Sequence, residues 1–326
     1  MEKGSVCVTG GTGFLASWLI KRLLEQGYSV NTTVRSSTKN MSYLTDLPGA
    51  SKRLKIFEAD LSKPDTFKAP IQGCIGVFHV AHPIDFVGKE PEEVITERAI
   101  NGGLGILQAC LDSKTVKKVV YTSSASAVVF NGKKYNEVLD EESWSDVDFI
   151  RTHFKDFGGA PYFISKTLTE KALLKFAEDK GLDFVSVIPT YIHGPFVGPN
   201  CPGSVHVSMA MIFGDTSVYN MLMKTDFVHV DDVARAHIHL LEYQKNAKGR
   251  YICSKVVVTI QELYNLLSVR YPEYKIPNID FLKDVEEMKF PGVSSEKLLS
   301  TGFRFKHGLE KMFDDAIACC KQKNLL

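Results

Sequence analysis

The chain has 326 residues, 44% of them hydrophobic and 24% charged, with a formal net charge of +1. This is ordinary globular composition, enough for one large domain or two smaller ones. A balance so close to neutral gives nucleic acid or an anionic membrane nothing to attract, and no apolar run is long enough to offer a membrane span. The N-terminus, MEKGSVCVTGG, runs straight into a strand-like stretch without the basic and long apolar regions of a signal peptide. Seven scattered cysteines without a CxxC pair read as reduced thiols in a cytoplasmic protein, not as a disulfide framework or a zinc site. There is no HExxH or carboxylate–His cluster to hold any other metal.

In chain order, apolar runs alternate with helical patterns. Strands are expected at Ser5–Thr9, Ser29–Val34, Leu54–Glu58, Gly76–Val80, Lys118–Thr122 and Phe184–Ile188, with helices at Gly13–Gln26, Glu92–Leu111 and Pro161–Lys180. The strands are continuous apolar runs, the mark of a parallel sheet buried on both faces. Alternating β and α elements imply an α/β fold with a Rossmann-type, doubly wound parallel sheet. After Pro189 the texture changes, and residues 190–226 carry glycines and prolines without a clear period. A strand and a helix follow in 227–244, then a short strand at Tyr251–Ser254, a helix at Thr259–Tyr271, a proline-rich connector, the segment Ser295–Ser300 and a last helix at His307–Lys323. The expected division is a first domain at 1–189 and a smaller, partly interleaved lobe at 190–326, with 227–244 packing back on the first.

The stretch VCVTGGTGFLASWLIKRLLEQG at 6–27 carries the first chemistry. An apolar strand runs through Gly10, Gly11 and Gly13 directly into a helix, with Ala16 in the third place of a GxxGxxA spacing. Glycines there permit the tight turn and let backbone N–H groups approach a pyrophosphate, and the helix N-terminus adds free donors and partial positive charge. The cradle comprises Thr9, Gly10, Gly11, Thr12, Gly13, Phe14 and Leu15. The second strand ends in Arg35, with Lys39 close by, where an acid would suit a ribose 2′-hydroxyl. A guanidinium suits a 2′-phosphate, so NADP(H) is preferred and NAD(H) remains possible. Asp60 and Leu61 end the third strand near the adenine. Val80, Ala81 and His82 end the fourth beside the nicotinamide ribose, and Thr122 and Pro189 complete the cofactor set.

The segment PYFISK at 161–166 places Tyr162 and Lys166 four residues apart, on one face of a helix. An ammonium beside a phenol favours the phenolate and draws its pKa from about 10 towards neutrality, so the Tyr can exchange a proton at cellular pH. The strand KKVVYTSSASAVVF at 117–130 ends in serines at the carboxyl edge of the sheet, where a hydroxyl can reach a substrate carbonyl.

Together with VTGGTGFLASW, GVFHVA, IPTYIHGP and FVHVDDVARAH, these motifs make the chain resemble the extended short-chain dehydrogenase/reductase family over nearly its whole length. Within it, the sequence is similar to the plant dihydroflavonol 4-reductase, vestitone reductase and noscapine synthase subgroup. The resemblance implies that Tyr162 is the general acid/base and that Lys166 binds the nicotinamide ribose and tunes Tyr162. It also implies that Ser124, with Ser123 as the alternative, binds the carbonyl. It points to Asn101 as a further candidate in the long helix before strand five. It implies an NADPH-dependent reduction of a ketone or aldehyde on a bulky, ring-containing plant specialised metabolite, a flavonoid, isoflavonoid or alkaloid. The reverse oxidation of an alcohol or hemiacetal with NAD(P)+ is the alternative. Less favoured readings are a dinucleotide-binding regulator without catalysis and a nucleotide-sugar epimerase or dehydratase. Such a protein takes a small-molecule substrate and works as a monomer or homodimer.

Several residues depart from the flavonoid-reducing pattern. His82 stands where a small hydroxyl residue is usual, Tyr191 and His193 where apolar residues are common, and Asp226 where a neutral amide is common. The expected substrate pocket is His82, Ile84, Phe86, Ser124, Phe130, Phe157, Tyr191, Met209, Phe213 and Asp226. In VHVDDVARAH, an Asp at 231 or 232 is expected to cap the following helix.

Overall fold

Twelve strands organise the described residues, seven of them in one central sheet. The computed structural model describes residues 3–37, 40–85, 90–134, 136–155, 157–221, 225–245, 247–276 and 290–326. Lys39 and Phe86 lie outside the described residues. The strands are β1 (Ser5–Val8), β2 (Ser29–Val34), β3 (Leu54–Glu58), β4 (Gly76–His79), β5 (Lys118–Thr122) and β6 (Val138–Leu139). Then come β7 (Phe184–Pro189), β8 (Tyr191–His193), β9 (Thr225–His229), β10 (Gly249–Cys253), β11 (Val256–Val258) and β12 (Gly292–Val293).

The central sheet runs β10-β7-β5-β4-β1-β2-β3 and every pairing in it is parallel. The inner strands β4, β5 and β7 are buried along their whole length, whereas the edge strand β3 is buried nowhere along it. That is the burial a parallel sheet between helical layers requires, and it explains why these strands read as unbroken apolar runs. The order reverses between β1 and β4, so the loops that leave these two strands diverge and open a crevice at the carboxyl edge.

The helix Phe14–Glu25 buries Leu15, Ala16, Leu19, Ile20, Leu23 and Leu24, one stripe at helical spacing, against the core. The helix Val230–Glu242 packs beside it in the same core, through Val233, Ala234, Ile238 and Leu240. Trp18 Nε1 donates to Asp231 at 2.9 Å and ties the two helices together. The helix cap differs from expectation. His229 Nδ1 accepts from Asp231 N at 3.0 Å, so the histidine is the cap and both aspartates lie inside the first turn. Buried Asp232 instead accepts from the backbone of Lys306 and His307, each at 3.0 Å, which pins the C-terminal segment.

A second core gathers Val205, Met209, Met211, Phe227, Leu263, Leu267, Phe313 and Ile317 around the small sheet β11-β9-β8. The strand expected at Tyr251–Ser254 does not join that small sheet. As β10 it pairs in parallel with β7 and forms the seventh strand of the main sheet. Among the described residues no helix is long and apolar enough to cross a membrane.

Candidate active site

The glycine turn sits at the switch point between β1 and β4. Gly10 has φ +73, and a Cβ there would stand 3.1 Å from the Ala81 backbone, so the two loops touch. A Cβ on Gly11 would lie 2.2 Å from Thr32 Oγ1, a buried hydroxyl already donating to Val8 O at 2.8 Å. Thr33 completes the turn by accepting from Gly10 N on its hydroxyl and from Gly11 N on its carbonyl. No side chain caps the helix that begins at Phe14, and Thr12 and Gly13 are exposed above it. The uncapped N–H groups of that first helical turn, behind a turn kept tight by glycines, form a fit for a pyrophosphate. Phe14 is half-buried between the two cores and Leu15 is packed beneath the loop.

Thr9 locks this turn to the end of β4. Its Oγ1 accepts from Val80 N and Ala81 N, both at 3.0 Å, so its proton goes to His79 Nδ1 at 3.1 Å. His79 is therefore the Nε2–H tautomer, and burial pushes its pKa down to about 3.

At the adenine end, Arg35 is exposed and lies close enough to Asp60 to help hold that carboxyl below its usual range. The chief cause of that lowering is local, since Asp60 accepts from the Ser62 hydroxyl at 2.7 Å and the Ser62 backbone at 2.8 Å. Leu61 packs against the long helix Glu92–Ser113 at Gly102, where a Cβ would come within 2.8 Å of it. Gly102 and Gly103 lie on the buried face of that helix, and Asn101 is exposed beside them.

The helix Ala160–Lys180 presents Tyr162 and Lys166 on one face, next to the end of β5. It opens with a proline in its first turn and closes on Gly181 at φ +64, as helix-end chemistry favours. Its buried face is largely polar, with Ser165, Lys166, Thr167, Thr169 and Glu170 all shut away. The hydroxyls of Tyr162 and Ser124 are hydrogen-bonded to each other. Ser124 also accepts from Ser126 N at 3.2 Å and caps a short 3-10 turn, which fixes its rotamer. Lys166 lies beneath them, 3% exposed, and donates to Thr122 O at 2.8 Å.

The electrostatics differ from the expectation of a phenol drawn down by Lys166. Burial raises the Tyr162 pKa above 10, opposed by the bond to Ser124. Burial likewise pulls Lys166 down to about 7, opposed by Glu170. The ammonium points at a backbone carbonyl and stands 5.2 Å from the Tyr121 ring centroid, which is why desolvation outweighs its attraction for a phenolate here.

The structure separates the serines that the sequence left open. Ser123 is buried and donates to Glu170 at 2.7 Å, facing away from Tyr162, so Ser124 is the serine brought to the site. Thr122 offers no free group to a cofactor. Its hydroxyl bonds His237 Nε2 at 2.8 Å and its carbonyl holds Lys166. His82 sits edge-on to the Tyr162 ring, 5.6 Å between centroids, with Nε2 at 3.2 Å from Ser165 Oγ. Burial, with Lys166 and His79 nearby, pushes its pKa well below 6.5, so it is a neutral imidazole.

The expected apolar lining divides. Tyr191 and Phe157 are half-buried, Phe213 is half-buried and stacked on His206, and Ile84 is 63% exposed. Met209 is completely buried in the second core, and Phe130 lies in an aromatic stack with Phe154, Phe163 and Phe290. As placed, these two are core residues without an open face, because large apolar side chains near a cleft gain more by packing than by lining it. His193 is buried, with Nδ1 at 2.9 Å from Ser208 Oγ and its ring against Phe313. Asp226 lies in β9, opposite Val257 of β11. Pro189 ends β7, paired with Cys253. Sequence reasoning passed over Glu170 and Arg250, although Glu170 continues the Tyr162–Lys166 spacing by one more turn.

Comparison with known proteins agrees with this geometry. Residues 6–254 match the NAD dependent epimerase/dehydratase family. Vestitone reductase of Medicago sativa is 53% identical over 99% of both chains, and its crystal structure superposes with a TM-score of 0.89 over 99% of this chain and 100% of that one. Noscapine synthase of Papaver somniferum is 49% identical over 98% of this chain and 93% of its own. The yeast methylglyoxal/isovaleraldehyde reductase, solved in complex with NADPH, is 25% identical with a TM-score of 0.79, covering 99% of this chain and 100% of that one. The chain belongs to the NAD dependent epimerase/dehydratase family, the dinucleotide-binding extended short-chain dehydrogenases/reductases, and is an oxidoreductase.

Proposed function

We propose that this protein is an NADPH-dependent reductase of a ketone or aldehyde on a bulky, ring-containing plant specialised metabolite, with flavonoids, isoflavonoids and alkaloids as the substrate class. The observation that carries the reading is the Ser124–Tyr162 hydrogen bond above a buried Lys166, at the carboxyl edge of the sheet. Vestitone reductase and noscapine synthase, each aligned along nearly the whole chain, support the substrate class. The bound nicotinamide supplies the hydride. The chain's own groups do the rest. Ser124 donates to the substrate carbonyl oxygen, and Tyr162 delivers its proton there as alkoxide charge develops. Lys166 holds positive charge close to the phenol and is positioned to bind the nicotinamide ribose. Thr9 and Thr33 hold the glycine turn in shape, and the uncapped first turn of the helix beginning at Phe14 offers its backbone N–H groups to the pyrophosphate.

The 2′-phosphate preference rests on Arg35, exposed at the end of β2 where an acid would repel a phosphate. The NADPH in the yeast relative's structure supports it. Half-buried Tyr191 and Phe157, with neutral His82 against Tyr162, give the substrate an aromatic, weakly polar environment. The 49% identity to noscapine synthase favours a second reading, the reverse oxidation of an alcohol or hemiacetal through the same groups. The test is a fluorescence titration with NADPH and NADH, followed by turnover of vestitone in wild type and Tyr162→Phe. NADPH binding with turnover abolished by Tyr162→Phe supports the reading. Failure to bind either nucleotide, or a fully active Tyr162→Phe, refutes it.

A further inference from the structure

Tyr162 and Lys166 are two members of a three-residue stripe. Glu170 lies four residues further on, on the same face of the same helix, and is completely buried. A carboxylate without solvent is costly unless its oxygens are fully engaged. These are. Oε2 accepts from Ser123 Oγ at 2.7 Å, and Oε1 accepts from Ser186 Oγ at 2.5 Å and Arg250 Nε at 3.1 Å. The donors come from β7, β10 and the residue that follows β5, so one carboxylate ties the catalytic helix to three adjacent parallel strands.

The tie lands at the residues that matter. Ser123 lies between Thr122, whose carbonyl accepts from Lys166, and Ser124, which bonds Tyr162. Arg250 continues the network past Glu170. It donates to Ala127 O at 3.3 Å, in the 3-10 turn that Ser124 caps, and packs 3.6 Å from the Trp144 ring centroid. Helix, serine turn and lysine acceptor are therefore all held by the Glu170–Arg250 pair.

We propose that Glu170 is a positioning residue of the catalytic site, latching the end of β5 through Ser123 and setting a fixed negative charge one helical turn below Lys166. This rests on the reading of Ser124, Tyr162 and Lys166 given above. The charge matters because burial pulls Lys166 down to about 7, and Glu170 opposes that pull. Without it, Arg250 would be left as an uncompensated cation in the same interior and would push Lys166 further towards its neutral form. A neutral lysine gives Tyr162 no help in carrying phenolate charge.

The test uses the full chain with saturating NADP+ and reads the Tyr162 phenol directly, as the phenolate ultraviolet difference between each background and its Tyr162→Phe partner. In Glu170→Gln the midpoint is expected to rise by about one pH unit. In Ser123→Ala, which cuts the latch but keeps the carboxylate, it rises by less. An unchanged midpoint in a folded Glu170→Gln protein overturns the proposal. If Glu170→Gln does not fold, Ser123→Ala decides, and an unchanged midpoint there overturns it. Turnover of vestitone separates the two levels. Loss in Tyr162→Phe with unaltered kcat in Glu170→Gln defeats this proposal alone, whereas full activity in Tyr162→Phe defeats the catalytic reading beneath it.

Discussion

Ser123 and Ser124 are neighbours in the chain and belong to different parts of the molecule. Ser123 Oγ is 2.7 Å from buried Glu170, in the interior, whereas Ser124 Oγ bonds the Tyr162 hydroxyl. The cause is the extended backbone at the strand end, which turns successive side chains to opposite faces.

Ser124→Ala is therefore expected to lower kcat by about 10²–10³, the usual effect of losing one donor to a developing oxyanion, with NADPH affinity unchanged. Ser123→Ala is expected to show mainly in stability, losing about 1–3 kcal/mol because a buried carboxylate oxygen is left short of a donor. Steady-state kinetics with vestitone and urea unfolding of the two variants check this. Equal kinetic losses in both would contradict the division.

Arg35→Ser is expected to weaken NADPH binding by about 10–100-fold, the range for one charged hydrogen bond, and to leave NADH binding where it is. Fluorescence titration with both nucleotides measures the ratio. An equal loss for both would move Arg35 from phosphate recognition to a general surface role.

Gly11→Ala places a methyl group 2.2 Å from Thr32 Oγ1, and that hydroxyl is fixed to Val8 O. The strands cannot part without breaking β1–β2 pairing. A destabilisation of about 1–3 kcal/mol is expected, together with loss of dinucleotide binding, because the turn must open at the cradle. Thermal unfolding with and without NADPH checks both. Wild-type stabilisation by NADPH would show that the turn tolerates the methyl.

Lys166 gives a pH prediction. Its folded pKa is lowered to about 7 by burial, below the ordinary 10.5 of an unfolded chain. Between those values the unfolded chain binds the extra proton, so this group's contribution makes stability rise with pH across the window. Lys166→Met is expected to unfold later than wild type at pH 6 by about 2 °C or more, with the gap closing as pH rises towards 10. Melting curves across that range decide it. A gap that widens with pH would mean that Lys166 is stabilised as a cation.

How much of this was legible beforehand follows from which interactions are local. The ranges of β2, β3 and β5 coincide with expectation, because short runs rich in β-branched and aromatic residues between turns carry their own signal. The glycine turn was legible because a tight strand-to-helix reversal restricts residue type within a few positions. The Tyr162–Lys166 pair was legible because helical spacing is local too. The order of the sheet, with its switch at β1 and β4, was not legible in this way, because it depends on which strands pair across distant parts of the chain.

The sequence by itself determined the parallel sheet, the glycine turn and the placing of Tyr162 and Lys166 on one helix face, since each is written within one element or one turn. Tertiary structure alone decided which serine faces Tyr162, that Thr122 turns to His237, and that Phe130 and Met209 are core. It also decided that β10 completes the main sheet and that Arg250 reaches Glu170 across 80 residues of chain. Periodicity says that a residue is buried, but not which distant group meets it there. For buried polar groups that partner sets the energetics, because a charge without solvent is tolerable only where another element supplies its hydrogen bonds.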